Sequence, residues 1–138
     1  MNIDNKKIEA SINFNIKTYE IDIAGHVNNI VYVKWLEDLR CKLFEQIFPI
    51  ESLLKENLYP VVISTNIIYK NQLKISDKPV GKIWIDGVSH NIMKLKIEYM
   101  INDKKCAIAE QRCILMNLKN IMMDKSKLKI LYSETGDL

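Results

Sequence analysis

Asp22, Gly25, His26, Asn28 and Asn29 lie close together in the stretch Tyr19-Glu20-Ile21-Asp22-Ile23-Ala24-Gly25-His26-Val27-Asn28-Asn29-Ile30-Val31-Tyr32. A carboxylate can act as nucleophile or general base, and an imidazole titrates near neutrality. Asparagine is a favoured helix N-cap, and an apolar run with helical spacing follows directly. The start of such a helix offers unpaired N–H donors and the positive end of its dipole, which together hold anions and developing oxyanions. A carboxylate a few residues upstream, facing those donors across a gap, would suit attack on an acyl carbonyl. The same residues also make an ordinary strand-to-helix connection. Asp22 is then an Asx-turn or cap acid, and Gly25 supplies either positive φ or room for a close approach.

The flanking elements must position this stretch. Ile8, Ala10, Ile12, Phe14 and Ile16 alternate with Glu9, Ser11, Asn13, Asn15 and Lys17, which predicts a half-buried strand over 8–17. A helix is predicted over 29–48, with Tyr32, Leu36, Leu39, Leu43 and Ile47 on one face. Val31, Val33, Trp35 and Phe44 widen that face, so the helix is expected to be largely enclosed, and Pro49 ends it. A loop through Glu51 to Tyr59 leads to four strand-like segments. Val61, Ile63, Ile67 and Tyr69 share one parity with Thr65 between them. Val80 to Gly87, Met93 to Ile101 and Cys106 to Leu118 follow, the last two joined by a turn at Asn102-Asp103-Lys104-Lys105. Short connections favour antiparallel neighbours. One long helix and five strands in the order β-α-β-β-β-β make an α+β plan. The tail from Lys119 has no clear period, and Ser133 to Asp137 is expected to fray.

With 138 residues, 48% hydrophobic and 27% charged, one domain over 1–138 is expected, with a core at about 8–118 and a tail at 119–138. A net charge of +3 with scattered lysines does not suit a nucleic-acid binder. Lys119, Lys125, Lys127 and Lys129 read as solvated surface. Cys41, Cys106 and Cys113 form no Cys-x-x-Cys pair, and His26 and His90 are far apart, so neither a disulfide framework nor a metal or redox cofactor is expected. No apolar run is long enough for a membrane span and Met1 to Lys7 lack a signal-peptide core, which gives a cytoplasmic expectation. The broad apolar girth of the helix exceeds what one five-stranded sheet would cover, and this predicts a homo-oligomer, a homodimer or dimer of dimers.

The segment from Asp22 to Asn29 resembles the Asp-x-x-Gly-His-Val-Asn-Asn signature of hotdog-fold thioesterases, in the 4-hydroxybenzoyl-CoA and acyl-acyl-carrier-protein thioesterase branches. Tyr32, Trp35 and the acidic pair Glu37-Asp38 continue the likeness, and Ile75-Ser76-Asp77-Lys78 and Ala109-Glu110 resemble later family motifs. The similarity covers roughly residues 8 to 118. It implies a curved antiparallel sheet of five strands wrapping a central helix, a dimer with active sites between subunits, and hydrolysis of an acyl-CoA or acyl-acyl-carrier-protein thioester. Asp22 would then be nucleophile or general base, and the Asn29 backbone N–H the oxyanion donor. His26 would orient the acyl group, position water or act as base; its residue-level alternative is a structural histidine beside the helix start. Gly25, Val27, Asn28 and Tyr32 would lie against the substrate, Tyr32 with simple core packing as its alternative.

Ser89 and His90 fall where similar proteins approach the pantetheine or nucleotide, and Lys70, Lys74 and Lys78 are candidates for CoA phosphates. Glu37 is a back-up carboxylate, because some hotdog thioesterases use an acid on the central helix; its spacing to Arg40 also fits an i,i+3 ion pair. The chain departs from the family at Ala24, where the plant-like branch has asparagine, and at Ile23, where the 4-hydroxybenzoyl-CoA branch has proline. Two other readings compete: a non-catalytic acyl-thioester-binding module or regulator on the same fold, and a hydratase of enoyl thioesters. A regulator would be expected to carry a DNA-binding segment, which is not seen here. A hydratase would place its Asp and His about five residues apart, whereas Val27-Asn28-Asn29 after His26 fits thioesterases better.

Overall fold

In the computed structural model, which describes residues 8–128, one antiparallel sheet packs its inner face on a long helix. Strand β1 (Glu9–Asn13) pairs with β3 (Val80–Ser89), so that Asn13 sits opposite Val80. The alternation predicted a strand to residue 17, but pairing ends at Asn13 because Pro79 precedes Val80 on the partner. Phe14 still donates its N–H to the Pro79 carbonyl at 2.9 Å, while proline has no N–H to return. A single 3-10 turn, Thr18–Glu20, carries the chain toward Asp22.

Helix α1 runs Asn29–Phe44, four residues short of the predicted end at 48. Its last turn tightens, with Gln46 N–H on the Leu43 carbonyl at 3.1 Å and Ile47 N–H on that of Phe44 at 3.0 Å. Such i,i+3 bonds often close helix ends. Pro49 then opens a second helix, α2 (Ile50–Lys55), where a loop was expected through residue 59. Proline suits a helix start, having no N–H that would need a partner there. Leu53 of α2 is buried.

Burial on α1 alternates two residues in, two out. Val31, Tyr32, Trp35, Leu36, Leu39, Arg40, Leu43 and Phe44 face the sheet. Val33, Lys34, Glu37, Asp38, Cys41, Lys42 and Glu45 are exposed. Val33 therefore does not widen the buried face; it is open to solvent. The helix is half enclosed rather than largely enclosed, and its open side is mostly charged. Its girth thus gives no argument for a partner subunit.

The remaining strands are β2 (Leu58–Tyr69), β4 (Ile92–Ile101), β5 (Lys104–Asn117) and a short β6 (Met122–Asp124). Sheet order is β1-β3-β4-β5-β2, with β6 also on β5, so the sheet has six strands where five were expected. Part of the tail is ordered against the fold: Met123 pairs with Met116, and Leu128 is buried. The fraying expected at Ser133 to Asp137 lies outside the described residues. Met93, Leu95, Ile97 and Tyr99 of β4 are fully buried or nearly so, while Lys94, Lys96 and Glu98 point outward, as the period of two requires. β3 reaches close to the helix at Gly81, where an added Cβ would meet Phe14 Cε2 at 2.6 Å and Leu39 Cδ1 at 2.9 Å.

β2 departs most from expectation. Of the residues that share one parity, Ile63, Thr65 and Tyr69 are exposed, and Val61 and Ile67 are half-buried. A register shift between Val62 and Ser64 breaks the alternation, and β2 is an edge strand paired only with β5 among the described residues. No helix of the described residues is long and apolar enough to cross a membrane.

Candidate active site

The loop between the 3-10 turn and α1 is fixed by its own backbone. Ile21 and Val27 form an antiparallel bridge, and Asp22 N–H donates to the His26 carbonyl at 2.8 Å. Gly25 N–H donates to the Asp22 carbonyl at 3.0 Å, and Gly25 has φ of +82° with open space where a Cβ would be. Positive φ is thus one reason for the glycine, and no protein atom crowds the position. Val27 N–H reaches the Leu73 carbonyl at 2.8 Å, tying the loop to the segment between β2 and β3. There Asp77 closes the turn expected at Ile75 to Lys78, accepting from Lys74 N–H at 2.8 Å.

Asp22 Oδ1 accepts from the N–H groups of Ala24 at 3.0 Å and His26 at 3.1 Å. This is the Asx-turn role considered above. It leaves Oδ2 without a protein partner among the described residues, on an exposed side chain. At the helix start, Asn28 is the N-cap and its side-chain oxygen accepts from Ile30 N–H at 3.1 Å. Val31 N–H donates to the Asn28 carbonyl at 2.9 Å, and Asn28 N–H donates to that of Glu20 at 2.9 Å. The Asn29 N–H has no acceptor among the described residues. The cap thus leaves one first-turn donor open, as helix starts do.

Asp22, His26, Val27, Asn29 and Tyr32 line one open cavity of about 560 Å³, with Ala24, Tyr69, Lys70, Asn71 and Gln72. Gly25 shapes the loop and Asn28 caps the helix, but neither lines the cavity. Tyr32 is buried and forms part of its inner wall. Tyr69 contributes its ring edge-on to Tyr32 at 5.1 Å and donates its hydroxyl to the Asn29 carbonyl at 3.3 Å. Burial, then Cys106 and Tyr69, push the Tyr32 hydroxyl well above the ordinary tyrosine range, and burial also raises Tyr69. Both therefore stay neutral at physiological pH. Tyr69, Asn71 and Gln72 were not singled out from sequence, because a polar run after an edge strand carries no signal until Leu73 is seen to bond Val27.

Ser89 lies elsewhere. It ends β3 in the hairpin to β4, where its hydroxyl and His90 Nδ1 are 3.0 Å apart. Both line a separate cavity of about 320 Å³ with Lys94 and Arg112. Lys78 lines a further cavity beside β1, leaving Lys70 as the one phosphate candidate of the three that borders the Asp22 cavity. Glu37 does not line that cavity and pairs with Arg40. Arg40, only 8% exposed, also donates to Gln111 Oε1 at 3.1 Å, and Gln111 donates on to Thr65 Oγ at 3.0 Å. This chain of polar contacts joins α1, β5 and β2. Among the described residues no group of three or more His, Cys, Asp or Glu is placed to hold a metal ion.

The sequence model of the thioesterase-like superfamily matches residues 16–129. No curated protein matches the chain in sequence. Among solved structures, a DHNA-CoA thioesterase from Staphylococcus aureus superposes with a TM-score of 0.76 at 17% identity, over 91% of this chain and 83% of its own. The probable thioesterase YbaW from Escherichia coli gives 0.76 at 20% identity, over 94% and 96% of the two chains. A hypothetical protein from Staphylococcus aureus in complex with CoA gives 0.83 at 10% identity, over 99% and 87%. At these identities the likeness is one of fold: the curled antiparallel sheet and single long helix of the hotdog fold.

Proposed function

The chain belongs to the thioesterase-like superfamily and is an acyl thioester hydrolase, and on that premise we propose that Asp22 and the start of α1 hydrolyse an acyl-CoA or acyl-acyl-carrier-protein thioester. One observation carries the reading. A carboxylate with a free oxygen and a helix-start N–H with no protein acceptor border the same open cavity. The carbonyl oxygen of the thioester takes the Asn29 N–H, where the helix dipole stabilises the charge that develops on it. As general base, Asp22 Oδ2 removes a proton from water while the water oxygen bonds to the carbonyl carbon. The C–S bond then breaks, and the thiolate leaves and collects the proton. As nucleophile, Oδ2 bonds to the carbonyl carbon itself, the C–S bond breaks and the thiolate leaves. Water then hydrolyses the resulting anhydride to the free acid and the Asp22 carboxylate, and its second proton goes to the thiolate. Lys70, on the rim, suits a phosphate of the CoA or carrier-protein arm, and the CoA bound to one structural neighbour supports CoA as the thiol.

The expected assembly is a homodimer, or a dimer of dimers, in which a second copy covers the open side of the cavity. The test compares Asp22→Asn with Glu37→Gln on a panel of acyl-CoA and acyl-carrier-protein thioesters, following thiol release. Asp22→Asn should lose about 10²–10⁴-fold in turnover, the usual worth of a positioned acid–base group. Glu37→Gln should lose little. The reverse result, with both variants folded, would move the catalytic carboxylate to the helix.

A further inference from the structure

We infer that a wall of four aromatic side chains closes the way from this cavity into the protein interior and restricts the enzyme to compact acyl groups, a short chain or a single ring. The inference rests on the thioesterase reading above and adds the class of acyl group. Tyr32 forms the buried inner wall of the cavity. Behind it, Trp35 meets Tyr32 edge-on at 5.4 Å between ring centroids, and Tyr99 does so at 5.3 Å. Trp35 and Tyr99 are 5.9 Å apart, and Phe14 stacks on Trp35 at 4.6 Å with the planes 18° apart. All four rings are at most 7% exposed. Tyr99 is further fixed by its hydroxyl, which donates to the Tyr32 carbonyl at 2.9 Å. Phe14 and Trp35 also border a second groove, lined by Tyr19, Lys34 and Asp38. The four rings therefore form one continuous cluster behind the cavity wall.

A long acyl chain entering between helix and sheet would have to displace rings that hold one another at offset and edge-on contact distances. Interiors packed to this density do not open by a methylene without loss. The remaining space is the open cavity bordered by Tyr32 and the partly exposed Tyr69, which suits a small or planar acyl group. Discrimination in such pockets is worth about 10–200-fold per misplaced methylene.

The experiment measures kcat/KM of the full-length protein for butanoyl-CoA, benzoyl-CoA, octanoyl-CoA and hexadecanoyl-CoA, each below its micelle concentration. Butanoyl-CoA or benzoyl-CoA should exceed hexadecanoyl-CoA by more than about a hundredfold. Tyr32→Leu, checked for folding by its melting temperature, should raise the octanoyl-to-butanoyl ratio. Equal turnover of all lengths, or a folded Tyr32→Leu variant with an unchanged ratio, overturns the wall while leaving the thioesterase reading intact. No hydrolysis of any of these, nor of the same acyl groups on a carrier protein, overturns both. If Tyr32→Leu does not fold, the length profile of the unaltered protein still decides.

Discussion

Asp22 Oδ1 holds the loop through Ala24 and His26, and the proposed mechanism gives Oδ2, which has no protein partner among the described residues, the second task of catalysis. Asparagine keeps an oxygen for the first task and loses the charge needed for the second, so Asp22→Asn isolates catalysis from folding. Asp22→Ala should lose both, lowering stability by about 0.5–2 kcal/mol, as when a capping oxygen is deleted; a melting curve beside the activity assay checks this. Arg40 is the other residue with an outsized role. Arg40→Met leaves Gln111 Oε1 buried without its donor, at an expected cost of about 1–3 kcal/mol. The double variant Arg40→Met, Gln111→Met should lose less than the sum of the single losses, by about 0.5–3 kcal/mol, in a double-mutant cycle by urea unfolding. Strict additivity would show that the two side chains are not coupled. The motif around Asp22 was legible in sequence because its residues are contiguous. Arg40 and Gln111 were not paired in advance, because nothing local marks a partner 71 positions away.

At the scale of elements, what could be read depended on the environment of each segment. β4 matched its alternation because it lies inside the sheet with one face on the core, whereas β2 failed because an edge strand with a register shift answers to one neighbour only. α1 was recognisable from its apolar spacing, yet its enclosure was overestimated, since sequence does not say how far a sheet curls. α2 was missed for a simpler reason: six residues are too few for a period to show. Gly81 carries information of the same hidden kind. It lets β3 approach Phe14 and Leu39, and Gly81→Ala should cost about 1–3 kcal/mol through overpacking. Chemical denaturation measures this directly. An unchanged midpoint would mean that Phe14 and Leu39 yield freely and that strand and helix are not held at a fixed separation.

For the molecule as a whole, the edge of the sheet, rather than the helix, is the surface that suits a second copy. The open side of α1 is charged and needs no cover, but β2 leaves twelve residues of edge with Tyr59, Ile63, Ile68 and Tyr69 exposed on it. A long, partly apolar edge invites another strand, and monomeric proteins usually blunt such edges with charge, proline or a covering segment. Pro60 is the only proline on β2, and it lies at the strand's beginning. Pairing β2 with its own copy about a twofold axis would be self-complementary, as isologous dimers require. It would also bring the second copy beside the cavity, because Tyr69 ends β2 and lines it. Obligate interfaces of this kind bury about 2,000 Å² or more. Light scattering at micromolar concentration should therefore give a dimer or a tetramer. Ile63→Lys, which puts a charge on the edge without touching the cavity, should shift the protein toward monomer and lower kcat/KM in the same variant. An unaltered protein that is monomeric and fully active would overturn the assembly, and with it the idea that a second copy completes the site. A variant that becomes monomeric with its activity unchanged would keep the dimer and separate it from catalysis.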